Sequence, residues 1–97
     1  MAARRGPQPL SNALADVIQS LGIGRKMDEA RTIEGWAILA GPQINAVTHT
    51  AWVKGGRLYV KITSPVWRHE LHLQRRQWRQ RLNDHLGTNL VQEIVFR

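Results

Sequence analysis

Cysteine is absent from the 97 residues, which removes disulfides, zinc ribbons and thiol catalysis together. Acidic residues are few, seven against fourteen Lys and Arg, and they are scattered, so a catalytic centre built on paired carboxylates has little material. No apolar run approaches the ~20 residues that a membrane-spanning helix needs. The stretch Met1–Pro9 lacks the apolar centre of a signal peptide and reads as a short, basic, disordered lead-in. No glycine-rich phosphate loop occurs, since Gly22-Ile23-Gly24-Arg25-Lys26 fits neither the Walker nor the dinucleotide pattern. The expectation is a soluble, cytoplasmic domain that is not an enzyme and uses no metal, cofactor or small-molecule substrate.

What is present is enough for a core. Hydrophobic residues make up 42% of the chain, and residues 10–97 read as a single domain with no internal repeat or linker. A chain of this length buries roughly 60–65% of its unfolded surface. The positive charge is gathered in one place. Between Thr48 and Arg81 lie eight Lys and Arg and one acid, Glu70, whereas the rest of the chain balances to zero. Charge concentrated in this way implies a polyanionic partner; the plainer alternative is a solvated face that keeps the protein soluble.

Hydrophobic spacing divides the chain into elements. Leu10, Leu14, Val17, Ile18 and Leu21 form one helical stripe, closed by Gly22, with Gly24 in a linker. A second helix is predicted to open at Asp28 and to bury Ala30, Ile33, Trp36, Ala37 and Ala40. Gly41-Pro42 breaks or kinks it, and Pro42 starts one more turn from Ile44 to Val47. The period then changes to two. Thr48–Lys54 and Arg57–Thr63 alternate around Gly55-Gly56, the signature of a two-residue hairpin.

Ser64-Pro65 caps and opens a long helix, predicted to run unbroken to Leu86 and to stop at Gly87, about 33 Å at ~1.5 Å per residue. Its core stripe is Trp67, Leu71, Trp78 and Leu82. Leu90–Arg97 is the closing strand. A strand, a helix and a strand in series place the last strand parallel to the second. The predicted order is α-α-β-β-α-β, an α+β fold in which helices cover one face of a three-stranded mixed sheet.

Hairpin pairing sets Lys54 opposite Arg57, Val53 opposite Leu58, Trp52 opposite Tyr59, Ala51 opposite Val60 and Thr50 opposite Lys61, and paired residues share a face. Ala51, Val53, Leu58, Val60 and Ile62 form the inner face, with His49 on the same inward register. Thr48, Thr50, Trp52, Lys54, Arg57, Tyr59 and Lys61 form the outer face, an aromatic pair among three cations. Such a face suits nucleic acid, with bases on rings and phosphates on Lys or Arg. The same residues could instead be a stabilising cross-strand pair or the anchor for a protein. On the long helix, Arg68, His72, Arg75, Arg76 and Arg79 occupy an arc about 90° from the core stripe, beside the sheet edge. They read as phosphate contacts or as a solvated amphipathic face. His69 and His72 are three apart, where the zinc-protease helix requires four, so they read as polar helix positions.

Several segments together resemble the DciA-like family of bacteria: Trp36-Ala37-Ile38-Leu39-Ala40-Gly41, His49-Thr50, Gly56-Arg57-Leu58-Tyr59-Val60, Ser64-Pro65-Val66-Trp67-Arg68-His69-Glu70-Leu71, Leu82-Asn83 and Ile94-Val95-Phe96-Arg97. The likeness runs from about Leu10 to the C-terminus. It implies a KH-like domain that binds DNA, associates with the nucleoid and assists loading of the replicative helicase without hydrolysing ATP. It adds the helicase as an expected partner. The Gly-x-x-Gly clamp of true KH domains is absent from this sequence, so that binding mode does not carry over. Family members often carry a further disordered tail that contacts the helicase. The expected nucleic-acid contacts, DNA before RNA, are therefore Trp52 and Tyr59 to bases, and Lys54, Arg57, Lys61, Arg68, Arg75, Arg76 and Arg79 to phosphates. The alternative is a protein-interaction module that docks on a helicase or other partner through the aromatic face or the open sheet edge.

Overall fold

The structure is a computed structural model that describes residues 23–97. The lead-in at residues 1–9 and the helix predicted over Leu10–Leu21 lie outside the described residues. The described elements are α1 (Ile23–Ala46), β1 (Thr48–Lys54), β2 (Arg57–Ile62), α2 (Pro65–Leu73), α3 (Arg75–Leu86) and β3 (Glu93–Phe96). β1 and β2 pair antiparallel, β2 and β3 parallel, and the sheet order is β1-β2-β3. This is the mixed three-stranded α+β arrangement expected of the sequence, with an order consistent with a KH-like domain. No helix among the described residues is long and apolar enough to cross a membrane.

The core forms where the inner face of the sheet meets the helices. Leu58, Val60 and Ile62 of β2, Ile94 and Phe96 of β3, Leu71 of α2 and Trp78, Leu82 and Leu86 of α3 are buried together. Trp36 of α1 is the central piece. It is 1% exposed, meets Trp78 edge to face at 5.1 Å and lies 5.5 Å from Phe96. One side chain thereby joins α1, α3 and β3, and each aromatic contact adds about 0.5–1.5 kcal/mol to the burial itself. Gly35, its neighbour, has no side chain because an added methyl group would lie 3.1 Å from Leu82 and 3.2 Å from His85 on α3. The buried Thr32 is satisfied within its helix, its hydroxyl donating to the Asp28 carbonyl at 2.8 Å.

Several local expectations change. α1 is already helical at Ile23, five residues before the predicted start at Asp28, so Gly24 is helical and not in a linker. Ala30 and Ala37 are exposed, because the buried face is set by Thr32, Gly35, Trp36 and Ile44. The break at Gly41-Pro42 is real: Gly41 adopts φ 79°, ψ 175°, a region open essentially to glycine alone. Pro42 offers no N–H to the Ile38 carbonyl four residues back, and across the kink the Asn45 side-chain amide donates to the Ala37 carbonyl at 2.8 Å.

The hairpin has the predicted register from Thr50↔Lys61 to Lys54↔Arg57, and Gly55 and Gly56 take φ values of 60° and 77°, as a primed turn requires. At the start of β1 the register shifts, so that Thr48 pairs with Ile62 and His49 is the extra residue of a bulge. His49 is exposed rather than inward, and Thr48 leaves the outer face. The Thr48 hydroxyl donates to the Ile44 carbonyl at 2.8 Å, tying the strand to the end of α1, and the bulge absorbs the offset.

The long helix is two helices. Ser64 caps the first as expected, its hydroxyl accepting from the Trp67 amide at 3.3 Å with Pro65 behind it. At Gln74 the backbone turns to φ −98°, ψ 11°, and its N–H is shared between the Glu70 and Leu71 carbonyls. Leu71 before the break and Trp78 after it are both buried in the core, and the Trp78 indole donates to the Gln74 side chain at 3.2 Å. The last strand is likewise shorter than the predicted Leu90–Arg97, because Leu90–Gln92 form an approach segment. Buried Asn83 on α3 holds that approach. Its amide donates to the Val91 carbonyl and its oxygen accepts from the Val91 amide, both at 2.9 Å.

Two substitutions test these constraints by urea denaturation. Gly41→Ala is expected to lower stability by about 1–3 kcal/mol, the cost of a non-glycine residue in that backbone region. Asn83→Ala leaves two backbone groups of Val91 unpaired, at about 1–3 kcal/mol each. Stability within 0.5 kcal/mol (about the error of such measurements) for either variant would contradict the assignment.

Candidate nucleic-acid interface

Alternation along three strands builds the outer face of the sheet. β1 contributes Thr50, Trp52 and Lys54, β2 contributes Arg57, Tyr59 and Lys61, and β3 contributes Glu93 and Val95, with Arg97 immediately after it. Trp52 and Tyr59 stack with ring centroids 5.4 Å apart and planes 6° from parallel. Arg97 places its guanidinium 5.0 Å from the centre of the Tyr59 ring. Trp52 approaches Tyr59 from the β1 side and Arg97 from the β3 side, so a ladder of two rings and a cation crosses the sheet.

That ladder corrects one expectation. Tyr59 is flanked on both sides and is not an open platform for a base. Among the described residues, the ring face available for further stacking is that of Trp52, toward the open edge of β1. Tyr59 serves to hold Trp52 upright, and Arg97 completes the support through a cation–π contact.

The predicted phosphate contacts fall into three groups. Arg75, Arg76 and Arg79 of α3 line a groove of about 370 Å³ together with Arg57, Gln92, Glu93 and Ile94. The helix break at Gln74 comes immediately before Arg75, one of the residues lining this groove. α3 begins there with no side-chain cap and no acidic residue in its first turn, so the positive end of its dipole adds to Arg75 and Arg76. Lys54 and Lys61 stand exposed on the sheet face beside the aromatic ladder. Arg68 lies apart from both. It donates to the Ile62 carbonyl at 3.3 Å and borders a shallow hollow with Pro65, His69, His72 and Phe96. The straight arc that linked Arg68 to Arg75 and Arg79 assumed an unbroken helix, and the turn at Gln74 separates them.

Arg57 is a second correction. It is not a free cation: its Nε lies 3.0 Å from a Glu93 carboxylate oxygen, with both side chains about half exposed. The Tyr59 phenol beside it, and then the Glu93 charge, raise its pKa above the ordinary arginine value. Elsewhere in the basic segment Arg81 packs over the Trp78 ring at 4.4 Å and Arg75 donates to the His72 carbonyl at 2.9 Å. The remaining ion pair among the described residues joins Arg31 to Asp28 on α1, away from the groove. A larger hollow of about 440 Å³ beneath the hairpin turn is lined by both signs of charge, with Asp28 and Glu29 facing Arg25 and Lys54. No group of three or more His, Cys, Asp or Glu residues that could hold a metal ion occurs among the described residues.

Sequence reasoning missed Gln92, Glu93 and Arg97. Their signal was present in the period-two pattern of the last strand, which puts 93, 95 and 97 on one face. What was missing was the register Arg57↔Glu93 and Tyr59↔Val95, set by the parallel pairing with β2.

Fold and surface define a small α+β domain with an aromatic–cationic sheet face and an arginine groove at one edge. The family model described as "Dna[CI] antecedent, DciA" matches residues 9–96, and the chain belongs to the DciA family. It is also similar to a "UPF0232 protein" of Corynebacterium glutamicum (strain R), with 27% identity over 90 residues. The match covers 93% of this chain and 51% of that protein, so the chain spans about half the length of the curated relative it matches.

The two kinds of tryptophan should separate on mutation. Trp36→Ala is expected to cost about 3–5 kcal/mol, whereas Trp52→Ala removes a surface stack worth about 0.5–1.5 kcal/mol. Chemical denaturation of both variants measures the difference. Equal losses would mean that Trp52 is a core residue rather than a surface one.

Proposed function

We propose that this chain is a non-enzymatic nucleic-acid-binding module that acts as an accessory factor in replicative helicase loading. The observation that carries the nucleic-acid reading is the meeting of two features on adjoining surfaces. The ladder of Trp52, Tyr59 and Arg97 crosses the sheet, and the groove of Arg75, Arg76 and Arg79 borders the same sheet's β3 edge. A backbone lying along the groove and the exposed Lys61 would place bases over the sheet face, where the open ring of Trp52 takes one. Arginine forks suit phosphate oxygens, and base–aromatic stacking contributes about 1–3 kcal/mol per base.

Family membership supports the helicase and favours DNA as the polyanion, because the family's name ties it to the Dna[CI] proteins. The two surfaces offer ion pairing, hydrogen bonding and stacking, which is the chemistry of binding. In this reading the domain would work in the cytoplasm at the nucleoid. A protein partner engaged through the aromatic face is the alternative, and the salt dependence of binding separates the two.

Fluorescence anisotropy with labelled single-stranded DNA, duplex DNA and RNA, at salt concentrations from 50 to 300 mM, tests the proposal. Lys54, Lys61, Arg75, Arg76 and Arg79 have no ion pair among the described residues. If all five meet phosphates, log K falls with log salt at a slope of about −3.5 on single strands and about −4.5 on duplex. Arg75→Ala with Arg79→Ala should weaken binding to every sequence alike, and Trp52→Ala should lower single-strand affinity by about 5- to 150-fold. Affinity indifferent to salt would overturn the reading.

A further inference from the structure

The arginine groove already contains an anion. Glu93 is the one acid among the residues that line it, and its carboxylate holds Arg57 at 3.0 Å. The pair is solvent-accessible on both sides, 55% and 50% exposed. Pairs this open contribute little to folding, and β3 has other anchors. Asn83 clamps Val91 ahead of the strand, and the Arg97 backbone bonds to Val60 and Ile62 behind it. A carboxylate among four arginines therefore does something other than hold the strand.

We propose that Glu93 is an internal competitor for the phosphate that this groove takes: its carboxylate occupies Arg57 until a phosphodiester displaces it. The inference rests on the polyanion reading above. Carboxylate and phosphodiester both present paired oxygens to a guanidinium, so the exchange keeps Arg57 neutralised before and after. Only after it does Arg57 face the same ligand as Arg75, Arg76 and Arg79. Two consequences follow from the charge balance. Affinity is lower than the groove's four arginines would give, and Arg57 contributes little to the salt slope, because its ion pair is swapped rather than newly made. The device suits a protein that must release a strand as readily as it holds one.

The test uses the full chain and a labelled 20-nucleotide single-stranded DNA, with a salt series for each variant. Glu93→Gln should tighten binding about five- to tenfold at 100 mM salt and steepen the slope by about 0.7, one additional phosphate contact. Glu34→Gln, at an exposed position of α1, makes the same change in net charge and should shift affinity less than twofold. In an Arg57→Gln background most of the gain from Glu93→Gln should vanish, since the partner it releases is gone. Circular dichroism and a thermal midpoint within about 3 °C of wild type verify that each variant is folded. The proposal is overturned if Glu93→Gln behaves like Glu34→Gln, or if its full gain survives without Arg57. Wild type and Glu93→Gln both failing to bind in a salt-dependent way would instead overturn the polyanion reading itself.

Discussion

Parallel pairing between β2 and β3 is the contact on which the surface chemistry depends, because it sets residues from the end of the chain beside residues of the hairpin. Arg57 faces Glu93 and Tyr59 faces Val95, with Arg97 one step further along the same face. Four residues of strand could not hold that register alone. Asn83 pins Val91 on the way in, and on the way out Arg97 exchanges backbone hydrogen bonds with Val60 and Ile62, at 2.9 and 2.6 Å. Beneath the strand, Phe96 packs against Trp36 and ties the pairing to the core. The charge pattern above the sheet is thus supported by the hydrophobic layer below it.

The break at Gln74 has a comparable reach. A straight helix from Pro65 to Leu86 would carry Arg68, Arg75 and Arg79 along one arc. The turn instead divides the arginines between a hollow near Phe96 and a groove near Glu93. On either side of the turn the same core is served, by Leu71 from α2 and by Trp78 and Leu82 from α3. The indole N–H of Trp78 finds its partner on Gln74 itself, so the residue that interrupts the helix also satisfies the buried ring beyond it.

On the outer face, order comes from stacking rather than burial. Trp52 is braced by Tyr59, and Tyr59 by Arg97, which presents Trp52 in one orientation and reduces the entropy lost when a flat ligand settles on it. The same arrangement limits the face to a single open ring. Its neighbours Lys54 and Lys61 are exposed point charges, and the guanidinium forks lie to one side, in the groove. Stacking and phosphate contact are therefore assigned to adjoining places on the molecule.

The local pattern of the chain was enough for the hairpin and its register, the capped helix at Ser64-Pro65, the break at Gly41, the inner apolar face and the direction of the last strand. All but the last rest on residues within a few positions of one another, where backbone sterics and side-chain period decide the outcome, and the strand direction follows from the order strand, helix, strand. The family, too, was readable from short ordered segments. The bulge at His49, the turn at Gln74, the Arg57–Glu93 pair and the support of Tyr59 by Arg97 were decided only by the assembled fold. All four depend on how far one element must shift to pack against another. That distance is set by side chains remote in the sequence, so no local spacing records it.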